Sequence, residues 1–293
     1  MNRDQSKKQD PMNQAQRAAE ITLQMKLHNN YFYLSSDETD ESLLALPCLR
    51  VRIEHPDGRS RIYPVYRQNA MIYGELSDYI KHHGCACCSL TSVLAAMRRS
   101  LSQNMPQDTI TQVEKTRLPR WEYEKNYDKP LSRQMPVSLY GISQILQKES
   151  ISCRLVASFD RQEAMEIIDR HLSSGNPVIF ETSRIRYRNR MIVSLNDRRY
   201  AGSYHTMVML GYDSRKRVIC ADSADRDWAG QRQRLKRAEL SELMNYMFPQ
   251  KNTEDNRVYF HKRKNNGGFI LVYAWERLDN MIQKNIDKMN FIP

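Results

Sequence analysis

The 293-residue chain has no apolar run approaching the roughly 18–20 residues that a membrane-crossing helix needs, so no membrane span is expected. Glycine (10) and proline (11) are scarce, which excludes collagen-like and low-complexity architectures. Six cysteines are too few for a disulfide scaffold of this length. Three of them crowd into Gly84-Cys85-Ala86-Cys87-Cys88, but no second Cys or Cys/His pair stands at zinc-ligand spacing, so no metal is expected. The first residues, MNRDQSKKQDPMNQAQ, are charged and lack the apolar core of a secretory leader. Together these absences predict a reduced, cytoplasmic protein.

What is present is a mixed chain, 40% hydrophobic and 27% charged, with a formal net charge of +11. The basic residues are scattered over several segments rather than gathered on one, so a basic soluble surface is expected and a specific nucleic-acid partner is not.

Residues 1–48 read as an N-terminal extension, polar and disordered over 1–14, with a weak helical pattern over 15–28 and a loop over 31–47. A main domain is expected over 49–275. It opens with a β-hairpin at 49–66, where two alternating runs flank Pro56-Asp57-Gly58. A loop (69–84) leads into a helix starting at Cys85, on which Leu90, Val93, Leu94 and Met97 recur at helical spacing. The polar, proline-containing segment 104–134, with Trp121, Tyr123 and Tyr127, reads as a long connection or lid. Further on come a helix at 137–150 and a strand at 151–158. A helix closed by Gly175 follows, then a buried strand at 176–183. Residues 184–200 read as an exposed hairpin whose Arg184, Arg186, Arg188 and Arg190 alternate at period two, a solvated face or an anion-binding wall. Two strands, Tyr204–Asp213 and Lys216–Ala224, are joined by a turn. Residues 235–247 read as a helix, 267–276 as a last strand, and 276–293 as a helical tail. This order predicts an α+β fold with an antiparallel sheet.

Cysteine catalysis needs a thiolate, a base beside it and a group that orients the base. Cys85 follows Gly84 at a helix start, where the helix dipole favours a thiolate and the Cys85 backbone N–H offers an oxyanion donor. His205 begins one apolar strand and Asp222 ends the next, close enough across the hairpin for Asp222 to hold the imidazole. Each residue also has a plain reading: Cys85 a core thiol, His205 a satisfied core histidine, Asp222 the cap of the turn after it.

Four segments, Gly84–Leu94, Gly175–Thr182, His205–Asp213 and Val218–Ala224, resemble in order the motifs of double-glycine leader (bacteriocin-processing) peptidases of the papain-like superfamily. The resemblance implies a papain-like fold with N-terminal helices packed on a C-terminal antiparallel β-sheet. It also implies Cys85 as nucleophile, His205 as base, Asp222 as the orienting acid, no cofactor, and a peptide or protein substrate. The sequence departs from the pattern in two ways. Cys87 and Cys88 replace the usual Pro and Thr, and the glutamine that completes the family's oxyanion hole is missing from residues 77–84. His82 and Tyr79 are the candidate substitutes. Loss of such a donor costs about 10²–10³ in rate. A cysteine peptidase-like hydrolase is therefore the leading expectation, with an acyltransferase or a non-catalytic binding protein of the same fold as alternatives.

Overall fold

The computed structural model describes residues 23–28, 31–34, 48–54, 59–70, 73–98, 106, 109, 139–183, 186–188, 191–193, 204–224, 235–247 and 267–275. The expectations placed on 1–22, on most of the 104–134 connection and on 276–293 lie outside these residues. Among the described residues no helix is long and apolar enough to cross a membrane.

The chain begins with strands β1 (Leu23–His28), β2 (Tyr31–Leu34), β3 (Cys48–Glu54) and β4 (Ser60–Tyr66). A 3₁₀ turn at Gly74–Leu76 leads into helix α1 (Ser77–His83), and α2 (Cys85–Arg98) follows after Gly84. Next come α3 (Leu139–Lys148), β5 (Cys153–Val156), α4 (Arg161–Ser173) and β6 (Val178–Ser183). The excursion β7 (Arg186–Arg188) and β8 (Met191–Val193) precedes β9 (Tyr204–Tyr212), β10 (Val218–Ala221), β11 (Leu235–Ala238), the short α5 (Leu240–Leu243) and β12 (Phe269–Val272).

The centre of the sheet runs β5–β12–β6–β9–β10–β11, and every neighbouring pair in it is antiparallel. Alternate residues of these strands feed two cores, as the period of two in a pleated strand requires. Ile179, Val208, Leu210, Ile219 and Ile270 pack with α2 and α3. Val178, Phe180, Met207, Met209, Cys220 and Phe269 pack with α4 and α5. Helices thus cover both faces of the sheet. The mixture of helices with an antiparallel sheet bears out the α+β class.

The expected hairpin at 49–66 is β3–β4, paired from Cys48↔Tyr66 to Glu54↔Ser60. It does more than decorate. The strand order carries the sheet from β9 through β2, β1 and β3 to β4, and α2 packs against both β4 and β9. The sheet therefore curls round α2, and Val51, Ile53, Tyr63 and Val65 meet Leu90, Val93 and Leu94 in one core. Burying each of those three helix residues is worth about 1.5–3 kcal/mol. Arg61 fixes the far end of α2, its guanidinium donating to Ala274 O at 2.6 Å and Ala96 O at 3.0 Å while lying over the Trp275 ring. Unspent carbonyls at a helix C-terminus suit a cation there.

Four local expectations are corrected. Residues 23–28 form a strand rather than continuing a helix, and Tyr31–Leu34 is a strand within what read as a loop. The loop expected at 69–84 contains the 3₁₀ turn and α1. Most consequentially, residues 235–238 form a strand, not the first turn of a helix. Pairing with β10 along Val218↔Ala238 to Ala221↔Leu235 overrides their helical propensity, and helix is confined to Leu240–Leu243. By contrast, α4 ends as its sequence predicts. Ser174 is the C-cap, and Gly175 at φ 71° follows it in the left-handed conformation that closes a helix.

Candidate active site

Gly84 is the residue that allows α1 to turn directly into α2. A Cβ at this position would stand 2.3 Å from Ile80 O, so no larger side chain fits without moving the backbone. The Gly84 N–H closes α1 on Ile80 O at 2.7 Å, while its carbonyl accepts the Cys88 N–H at 2.8 Å in the first turn of α2. Cys85 is thereby fixed as the first residue of a fourteen-residue helix, half-buried.

His205 lies near the start of β9. The β9–β10 hairpin is registered as Val208↔Ala221 and Met209↔Cys220. Continued one step, that register sets Asp222 opposite Met207, which is one diagonal away from His205 on the same face. The side chains close the diagonal: His205 Nε2 lies 2.6 Å from Asp222 Oδ1. The hairpin turn that sets this register is held by Asp213, whose Oδ1 accepts the N–H groups of Arg215 (3.0 Å) and Arg217 (2.9 Å) and whose Oδ2 pairs with the Arg217 guanidinium.

With Nε2 turned to Asp222, Nδ1 is the ring nitrogen left for a thiol, and Cys85 and His205 lie close enough for each to shift the other's pKa. Burial pushes the Cys85 thiol up. The hydrogen bond and positive charge of His205 and the backbone of Thr206 and Ala86 outweigh it, so the thiol pKa ends below its ordinary value. Burial likewise works against a charged His205, yet the Asp222 carboxylate beside it raises its pKa from 6.5 to about 10. Asp222 is buried too, which disfavours its charge, but His205 and Lys236 hold it well below the usual carboxylate range. Of the three expected residues, His205 and Asp222 are in contact, and Cys85 stands near enough to His205 for each to shift the other's pKa toward its charged form.

Of the expected oxyanion donors, Tyr79 packs with Leu76 against Cys87. The His82 side chain lies outside the described residues, as do those of the arginines at 184–190. Cys87 gives its S–H to Pro106 O at 2.9 Å and Cys88 joins Tyr66, Tyr73 and Ile80. Among the described residues no group of three or more His, Cys, Asp or Glu could hold a metal ion.

Two residues passed over in the sequence prove to belong to this region. Gln68 bridges its two halves: its N–H donates to Ser223 O at 3.0 Å, its Oε1 accepts from Ser223 Oγ at 2.9 Å, and its Nε2 donates to Lys81 O at 2.8 Å. It connects the residue after Asp222 with the helix that delivers Cys85. Its glutamine identity ahead of the cysteine was a legible signal, but it stands seventeen positions upstream rather than within 77–84. The second is Lys236, 1% exposed and paired with Asp222 Oδ2. No sequence signal marked it, because its segment reads as helix.

A half-buried helix-terminal cysteine beside a histidine that is itself held by a carboxylate has the parts that thiol-dependent acyl transfer requires. The Peptidase_C39 like family model matches residues 62–251, well over half of the chain. The chain belongs to that family, consistent with membership of the papain-like cysteine peptidase superfamily. The search of curated proteins matches none of them to this chain.

Proposed function

We propose that the protein is a cysteine peptidase that hydrolyses a peptide or amide bond with the Cys85–His205–Asp222 triad. The observation that carries this reading is the His205 Nε2–Asp222 Oδ1 contact at 2.6 Å, which leaves the other ring nitrogen to serve a thiol at a helix N-terminus. Cys85 attacks the carbonyl carbon as a thiolate, and the carbonyl oxygen becomes an oxyanion. His205, already protonated, gives its proton to the leaving amine. Water then attacks the thioester with His205 as base, releasing the acid and restoring the thiolate–imidazolium pair. Asp222 stays ionised throughout and keeps the imidazole oriented.

The oxyanion donors in this reading are the Cys85 backbone N–H at the start of α2 and the side-chain amide of Gln68. An amide nitrogen carries two N–H groups, and one is committed to Lys81 O at 2.8 Å. The other is the second donor, and Gln68 takes the role first assigned to His82 or Tyr79. The catalytic unit in this reading is one domain spanning 49–275.

Incubating the purified chain with a peptide library and reading new termini by mass spectrometry tests the proposal. Cleavage by the wild type that disappears in Cys85→Ala supports it. Products that carry an added amine instead of water would assign the same site to acyl transfer. No product from either acceptor would leave the family's fold without its hydrolase activity.

A further inference from the structure

His205, Asp222 and Lys236 share one face of the sheet and step across it diagonally. His205 on β9 reaches Asp222 just beyond β10, and Lys236 on β11, registered opposite Cys220, reaches the same carboxylate from the other side. The two carboxylate oxygens are divided between them. Oδ1 accepts from His205 Nε2 at 2.6 Å and from the Ala224 N–H at 2.8 Å, whereas Oδ2 accepts from Lys236 Nζ. Lys236 Nζ also donates to Ala224 O at 2.8 Å, so the ammonium and the carboxylate clamp the same backbone turn. Both side chains are 1% exposed. A buried ammonium is expensive unless it is paired, and replacement by a well-packed apolar residue is often neutral or stabilising. Lysine at this position thus calls for a role other than stability.

We propose that Lys236 is a positioning residue of the active site: its ammonium occupies one oxygen of Asp222, keeps the carboxylate ionised, and so holds the other oxygen on His205. The inference rests on the Cys–His–Asp reading above and extends it to a fourth charge. The site then alternates in sign, from thiolate through imidazolium and carboxylate to ammonium. Lys236 acts through Asp222 and touches neither the thiol nor the reacting atoms. Among the described residues Cys220 also faces the pair, on the strand that precedes Asp222. Burial and the Asp222 charge raise its pKa far above the ordinary thiol value, so it contributes no charge.

The test is the rate at which iodoacetamide modifies Cys85 as a function of pH, which reads the protonation state of the site and not only its integrity. In Lys236→Met, Asp222 loses its second cation and takes up a proton at higher pH. The Cys85 rate at pH 6 should fall at least tenfold, and the acid limb of the profile should move up by about one pH unit or more. Lys236→Arg should leave the limb in place. In an Asp222→Asn background the carboxylate through which Lys236 acts is gone, so adding Lys236→Met should change the rate less than about twofold. That double variant removes both buried charges together and serves if Lys236→Met alone does not fold. A Lys236→Met profile superimposable on wild type, or a further tenfold loss in the Asp222→Asn background, overturns the inference. A wild type whose Cys85 reacts no faster than the other cysteines removes the triad reading itself, and this inference with it. A fast wild type indifferent to Lys236 removes only the part given to Lys236.

Discussion

Asp222→Asn removes one charge from the site and almost no volume, which makes it the sharpest perturbation of the ion pair. His205 is held at about 10, against an ordinary 6.5, although burial alone would lower it, and Asp222 is the largest opposing influence. At about 1.4 kcal/mol per pH unit, that rise amounts to on the order of 4–5 kcal/mol in favour of the imidazolium, or roughly 10³ in its population. The His205 side chain is 24% exposed, so solvent screening reduces the effect. A tenfold loss is the least that the geometry supports. The sign is definite. The raised His205 pKa gives the folded chain stability that is fully present below pH 6.5 and is lost as pH rises through about 10. Because His205 keeps its proton up to about 10, reactivity of Cys85 toward iodoacetamide should hold a plateau from the acid limb of the thiolate up through neutral pH. In Asp222→Asn the plateau should collapse, with the acid limb moving up toward the ordinary thiol range and the rate at pH 6 dropping at least tenfold. The same variant leaves Lys236 charged and buried, so its urea midpoint should also fall. An acid limb that stays in place in Asp222→Asn would refute the assignment of the imidazolium to this carboxylate.

Other consequences follow from single residues. Gln68→Ala should lower kcat for peptide cleavage by about 10²–10³ while leaving Cys85 alkylation within about threefold, because alkylation builds no oxyanion; equal losses in both assays would make Gln68 purely structural. Gly84→Ala forces a Cβ against Ile80 O, so thermal unfolding should show a loss of about 1–3 kcal/mol together with slower Cys85 modification. His171, 8% exposed with Nε2 3.1 Å from Val272 O, is pushed by burial from 6.5 to about 4. The unfolded chain therefore binds more protons between those values, and stability present above pH 6.5 is lost toward pH 4 by about 3 kcal/mol. Urea titrations across that range should show a slope that His171→Gln flattens.

The site was more legible in the sequence than its surroundings. Cys85 was readable because Gly84 and the Leu90, Val93 and Leu94 spacing fix both the start and the face of α2. His205 and Asp222 were readable because a short turn between two apolar strands forces antiparallel pairing, and pairing fixes which side chains meet. Lys236 was hidden for the opposite reason. The run Leu235 to Leu243 has good helix formers, and only pairing with β10, a contact made at long range, holds its first four residues extended. The strands at 23–34 were missed likewise, since β1 owes its state to β2 and to a parallel pairing with β3. Gln68 escaped because proximity in sequence is a poor guide to proximity to a helix N-terminus. Intervening residues 74–83 fold into a compact turn and helix that bring Lys81 back over it.

The claim on which the rest depends is that Cys85 is a thiolate made by His205. It is tested most directly by treating the chain at pH 6 with less than one equivalent of iodoacetamide and locating the label by peptide mass spectrometry. The structure predicts label on Cys85 almost alone in the wild type, and a spread over the cysteines in His205→Ala. Label distributed among the cysteines of the wild type, or a Cys85 unaffected by His205→Ala, would contradict it.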